Sequence, residues 1–192
     1  MMWSRVQILR FGGVFVTLFF LIGAGIVGCS KSSEPETITN RVYLPEKIEV
    51  ATGEFFTVPV NFDNEVSLSA INVPMLFPSS ILRLDSVSFR DSRADQFMFK
   101  NVLAKADTLA IGVIDDSAAV ATGRGLLATI YFTVGPTAPD TTFLLNTFDY
   151  PFLPFSFFDL QLNPVANPPQ FKACTVHING QTSKEGGDGE PN

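Results

Sequence analysis

The sequence predicts an all-β fold, a two-sheet sandwich or jelly roll of about nine strands. Three observations carry that reading. Apolar residues alternate with polar ones at period two in run after run, as half-buried strands require. Turn-forming residues punctuate the runs at Thr52-Gly53, Asp63-Asn64, Pro78-Ser79-Ser80, Gly123-Arg124-Gly125 and Gly135-Pro136. No ten-residue window shows helical periodicity, and a composition with 19 Phe, 13 Pro and 14 Gly favours strands and turns.

The chain opens on a basic head, with Arg5 and Arg10, followed by the uncharged run Phe11–Gly28. This is the layout of an export signal, its arginines holding the N-terminus on the cytoplasmic side. The run ends in Ile26-Val27-Gly28-Cys29, which resembles the lipobox of bacterial lipoproteins. In that family the cysteine thiolate accepts a diacylglyceryl group, and the peptidase needs a small residue just before it. The resemblance implies lipidation at Cys29, a signal peptide over 1–28, and a mature protein held on a membrane outside the cytoplasm. Ser30 after the cysteine, rather than Asp, implies sorting to an outer membrane or cell surface. The competing reading is an uncleaved anchor, since 18 helical residues span about 27 Å against about 30 Å of hydrocarbon. Both readings export the rest of the chain.

Residues 29–40 continue as a lipidated tether, polar and without apolar periodicity. Eleven flexible residues typically reach ~18 Å. The stretch 41–180 is the expected β-sandwich, and 181–192 reads as a disordered tail on composition. Within the sandwich, residues 54–62 place Phe56, Val58, Val60 and Phe62 on one face. Residues 69–77 do the same with Ile71, Val73, Met75 and Phe77. In residues 126–134 alternation puts Leu126, Ala128, Ile130, Phe132 and Val134 inside and Leu127, Thr129, Tyr131 and Thr133 outside. In residues 171–179 Lys172, Cys174, Val176 and Ile178 share a face. Further runs lie near 42–50, 82–89, 97–103, 107–115 and 142–148. Pro59 and Pro74 cannot donate to a ladder, so each needs a free edge or a bulge beside it. With Cys29 acylated, Cys174 has no partner for an intrachain disulfide and is expected to be buried and reduced.

Net charge is −6, and near −8 once Arg5 and Arg10 are removed with the leader. So acidic a chain does not suit nucleic acid, whose phosphates call for Lys and Arg.

Three stretches, in order, resemble the cohesin domains of bacterial cellulosomes. Val50-Ala-Thr-Gly53-Glu-Phe-Phe-Thr-Val58-Pro59-Val60-Asn-Phe is similar to the family's Gly turn and alternating strand ending in a Pro-Val pair. Phe77-Pro-Ser-Ser-Ile81-Leu82-Arg-Leu84 resembles its Tyr-Asp-Pro-x-x-Leu segment with the Asp-Pro order lost. Asp115-Asp116-Ser117, followed by Gly125-Leu-Leu-Ala-Thr-Ile130-Tyr-Phe-Thr-Val134, resembles its acid-acid-Ser turn and late strand. The resemblance implies a nine-strand jelly roll and a non-catalytic module that binds a protein, typically a dockerin, through one sheet face. It places partner contacts on the strand ending at Phe77, with Leu68, Ala70, Asn72 and Pro74 outward. The family often carries an Asn and Asp pair at the positions of Ala70 and Asn72, so the polar contact set here is depleted.

No catalytic constellation is present. His177 is the sole histidine, and with only Cys174 nearby it makes no zinc set. Asp115-Asp116 reads as a solvated turn rather than a calcium site with Asp63, Asn64 or Glu65. Gly123-Arg124-Gly125 reads as a turn, since no helix or lysine of a phosphate loop follows. No metal or cofactor is implied. The aromatic stretch Phe148–Phe158 reads as a loop capping the sandwich or as an exposed patch for a partner, with Phe152 and Phe155 as its candidate contacts. The expected partner is a protein, dockerin-like or other. The alternative is a polysaccharide, although sugar platforms favour Trp and Tyr over Phe.

Overall fold

The computed structural model describes residues 38–115 and 119–180. The export segment, Cys29, most of the tether, Asp116 and the tail lie outside the described residues.

The fold is all-β, a jelly-roll sandwich of two sheets. One sheet has five strands in the order β11-β1-β3-β8-β5, and the other runs β2-β12-β9-β4-β7-β6 with β10 paired to β4. The ranges are β1 (Arg41–Tyr43), β2 (Lys47–Ala51), β3 (Phe55–Asn64), β4 (Ala70–Leu76), β5 (Leu82–Ser88) and β6 (Phe99–Lys105). They continue with β7 (Thr108–Ile114), β8 (Gly123–Val134), β9 (Thr141–Thr147), β10 (Ser156–Phe158), β11 (Gln170–Lys172) and β12 (Cys174–Asn179).

Twelve strands arise from the nine expected runs for simple reasons. Run 42–50 divides at Pro45 into β1 and β2, which join different sheets. Run 171–179 divides at Ala173 into β11 and β12 in the same way, so Lys172 is exposed while Cys174, Val176 and Ile178 are fully buried. The twelfth strand, β10, comes from the aromatic stretch. Because β1 pairs in parallel with β11, and β2 with β12, the first and last runs cross between sheets together and close the sandwich.

The core is the sum of the inward faces. Phe56, Val58, Val60 and Phe62 of β3 and Ile71, Val73, Met75 and Phe77 are all buried, as alternation requires. Cys174 is a free thiol in this core, and burial pushes its pKa up to about 11. Both strand prolines sit where a ladder is already broken. Pro59 adjoins the register shift at Val60/Asn61. Pro74 falls between β10, which pairs β4 at Ala70–Asn72, and β9, which pairs it at Met75–Leu76.

Three expectations are corrected. The shift at Val60/Asn61 leaves Leu127 as the extra residue of a bulge, and Leu127 turns inward with Ala128. Gly123-Arg124-Gly125 is not a turn but the start of β8, paired to Asn64, Asp63 and Phe62. Its glycines make room for Arg93: a Cβ on Gly125 would stand 2.6 Å from Arg93 Cδ. The Arg93 guanidinium lies 4.5 Å from the centre of the Phe62 ring and donates to Asn64 Oδ1 at 2.8 Å. Asp115, finally, is not solvated: it is buried, and its carboxylate accepts the Met98 N–H at 2.9 Å.

Candidate functional site

The outer face of β6, β7, β4 and β10 is built from residues that cross-strand register lines up in rows. Ala70, Ile114 and Phe99 form one row, which Phe158 of β10 extends past Ala70. Asn72, Gly112 and Asn101 form the next, extended by Ser156. Pro74, Ala110 and Leu103 form the third. None of these residues carries a charge. Phe99, Ile114 and Leu103 are exposed.

These rows floor a groove of about 400 Å³. Its far wall comes from the segment after β9, through Leu153, Phe158 and Leu162. The same segment continues along the sheet as a chain of edge-to-face rings, Phe148 to Tyr150 at 5.5 Å and Tyr150 to Phe152 at 6.5 Å. In the floor, Asn72 and Asn101 flank Gly112. Among the described residues neither carboxamide is taken up by a protein hydrogen bond. The site thus offers apolar area at its ends and two sets of free donors and acceptors at its centre. Its lining holds no carboxylate, imidazole, thiol or amine. Among the described residues there is no cluster of His, Cys, Asp and Glu that could hold a metal.

The structure sorts the candidate contacts. Asn72 is half-exposed in the groove floor. Ala70 is buried at the groove's edge, its small side chain leaving space beside Ile114. Leu68 is not outward at all. It is 0% exposed, because it precedes β4 as a bridge to Val120, where both of its backbone groups are bonded and its side chain enters the core. Pro74 is buried too. In the aromatic stretch, Phe152 is 86% exposed. Phe155 instead packs edge-on against Phe157 and Phe171, half-buried on the core. The stretch is thus exposed at Phe152 and pinned to the core at Phe155 and Phe157. It is a wall anchored by Phe157, and it stands over the same sheet face that carries Asn72. Of this stretch Leu153 and Phe158 line the groove with Asn72, whereas Phe152 and Phe155 lie outside its lining.

Asn101 and Gly112 were missed. Both lie on strands recognised only as apolar runs. The available signal was an Asn and a Gly breaking two otherwise apolar outward faces.

No protein-family model matches this chain, and no curated protein does. Solved structures do. The seventh ScaB type I cohesin from Pseudobacteroides cellulosolvens is 15% identical with a TM-score of 0.62, covering 78% of this chain and 97% of that one. The third cohesin of ScaC from Acetivibrio cellulolyticus, solved in complex with the ScaB dockerin, has the same identity of 15% and TM-score of 0.62, over 73% and 99% of the two chains. A cohesin module from a Clostridium perfringens family 33 glycoside hydrolase is 12% identical with a TM-score of 0.58, over 76% and 100%. At such identities the likeness establishes the fold, which is that of cohesin modules.

Proposed function

We propose that this chain is an exported lipoprotein, acylated at Cys29 and held on the outer membrane or cell surface, whose sandwich is a non-catalytic protein-binding module. The groove around Asn72 is its binding surface. One observation carries the reading: a cohesin-type sandwich sets two unpaired carboxamides in a charge-free, largely apolar sheet face walled by aromatic residues. Apolar side chains of a partner displace water from Phe99, Ile114 and Leu103, and its polar groups meet Asn72 and Asn101. The partner class is a dockerin or a protein that presents a similar surface, since cohesins of this fold have been solved with dockerins bound. A polysaccharide is the second reading, favoured by the ring chain Phe148–Tyr150–Phe152 beside free amides.

The test is capture from the producing organism's secreted proteins by the full-length protein in lipid nanodiscs, beside a panel of insoluble glycans. Asn72→Lys is expected to weaken capture at least ~10-fold, because a charge forced into a desolvated interface is costly. Thr57→Lys, on the opposite sheet, is expected to leave it unchanged. Retention on a glycan with no protein captured overturns the protein reading in favour of polysaccharide.

A further inference from the structure

We infer that the end of the sandwich at which the chain enters is a membrane-contact surface, with Val66, Met98 and Leu160 seated in the lipid interface. The inference rests on the reading of Cys29 as the acylated residue.

The entry end is fixed by Asn40. Its carboxamide donates to the Asn167 carbonyl at 2.8 Å and to Glu65 Oε1 at 3.2 Å, and accepts the Glu65 N–H at 3.0 Å. Asn167 closes the knot by donating to the same Glu65 oxygen at 2.6 Å. Register brings the other loops to this end: Asn64 pairs with Gly123, and Ala70 with Ile114 and Phe158.

Three large apolar side chains stand out from these loops, and none of them lines the groove. Val66 is 41% exposed, Met98 62% and Leu160 55%. Leu160 is held there. It rides a turn in which Asp159 Oδ1 accepts the N–H groups of Gln161 and Asn163, both at 2.9 Å. The Asp159 carbonyl accepts the Ser69 hydroxyl, which pins the turn to the sheet. Within the turn Leu162 has φ +59°, a conformation that surface turns ordinarily leave to Gly or Asn. Leu162 lines the groove, which leaves Leu160 as the turn's outward apolar side chain.

The tether says what covers them. Eleven residues, Ser30–Asn40, separate the acylated cysteine from the knot, and fully extended they span at most about 40 Å. Of all surfaces on the domain, the entry end is the one the chain keeps nearest the lipid. Exposed apolar side chains at the end nearest a lipid anchor match a head-group interface. Seated so, the lipoprotein holds its groove rising from the membrane rather than turning freely on its anchor.

The test is fluorophore placement on the full-length lipoprotein in phosphatidylethanolamine–phosphatidylglycerol vesicles. Cys174 is buried with its pKa raised and Cys29 is acylated, so an added cysteine labels selectively. A polarity-sensitive dye at Leu160→Cys or Val66→Cys is expected to shift to the blue and lose at least half its emission to brominated acyl chains. The same dye at Ser80→Cys, beyond the far end of β4, is expected to do neither. Equal behaviour at Leu160 and Ser80, or a shift at Leu160 that needs added protein rather than lipid, overturns the seat. Fatty-acid labelling, compared with Cys29→Ala, separates the two failures. Labelled protein without quenching sinks the seat alone, whereas wild-type protein that takes no label sinks the lipoprotein reading.

Discussion

On the five-stranded sheet, the side chains that alternation leaves outside meet one another. Asp63 lies between two cross-strand partners, accepting from Arg41 at 2.6 Å and lying 3.5 Å from Arg124, and it is fully buried beneath them. Arg41 also covers the Tyr43 ring, whose phenol is raised above its usual pKa by burial and by the Asp63 carboxylate. Further along, Asp85 accepts from Thr133 and Arg83, and Phe55 stacks on Tyr131. On the opposite sheet, the outward residues of β4, β7 and β6 lack such partners. Their rows hold no charge, their amides bond to nothing described, and three of their apolar side chains are open to water. The two faces come from one strand pattern. The first face is largely taken up by its own pairs, with Asp63 Oδ1 alone among its buried side-chain oxygens lacking a partner among the described residues, while the second leaves its amides open to whatever approaches.

The largest expected effect tests whether the groove wall belongs to the core. Phe157 is fully buried, edge-on to Phe62 at 6.2 Å and to Phe155 at 6.4 Å. Phe157→Ala should cost about 3–5 kcal/mol, the range for deleting a buried aromatic ring. The denaturant midpoint reads this directly. A loss of only about 1 kcal/mol would mean that β10 is loosely held, and the contrast between a built groove and a bare sheet face would go with it.

Next comes the self-paired face. Asp63→Ala leaves two guanidinium groups side by side with no carboxylate between them. Both arginines are partly solvated, so the expected cost is about 2 kcal/mol, below the figure for a fully buried pair. Partner capture by Asp63→Ala should be unchanged at temperatures where it is folded. A loss of capture without a loss of stability would place the binding surface on the wrong sheet.

How much of this was legible beforehand depends on what each feature needs. The sandwich was readable because period two is a property of each strand alone: the β3 and β4 faces fall as alternation sets them. Leu127 was not, because a bulge is a property of a pair, and only the partner strand shows that Val60 and Asn61 oppose three residues rather than two. Leu68 failed for a related reason. Its parity was counted back from β4, but the chain bends at Ser69, and the count does not survive the bend. Gly123 and Gly125 resembled a turn because glycine serves turns, while their reason is the Arg93 side chain arriving from 30 residues away. The site was half readable. Asn72 and the aromatic stretch stand out in the sequence, yet nothing local in it says that Asn72 and Leu153 line one groove.

The smallest expected change in stability is the sharpest test of the comparison, and it concerns Gly112. A glycine within a strand weakens it, since it fixes more backbone freedom and packs nothing. Gly112 has no positive φ to require it, and an added Cβ would meet only Asn72 Oδ1, at an ordinary 3.4 Å. On folding grounds alone valine belongs there. Gly112→Val should therefore leave stability unchanged or raise it by up to about 1 kcal/mol. Its isopropyl group, however, would fill the slot between Asn72 and Asn101 and lift a partner away from both carboxamides. Capture should fall ~10-fold or more, since two hydrogen bonds lost in a desolvated interface are worth at least about 1.4 kcal/mol. Stability rising while binding falls is the signature of a residue kept for what approaches it. A Gly112→Val protein that binds its partner as well as the native chain would remove the groove's centre from the interface and leave Phe152 and its wall to carry it.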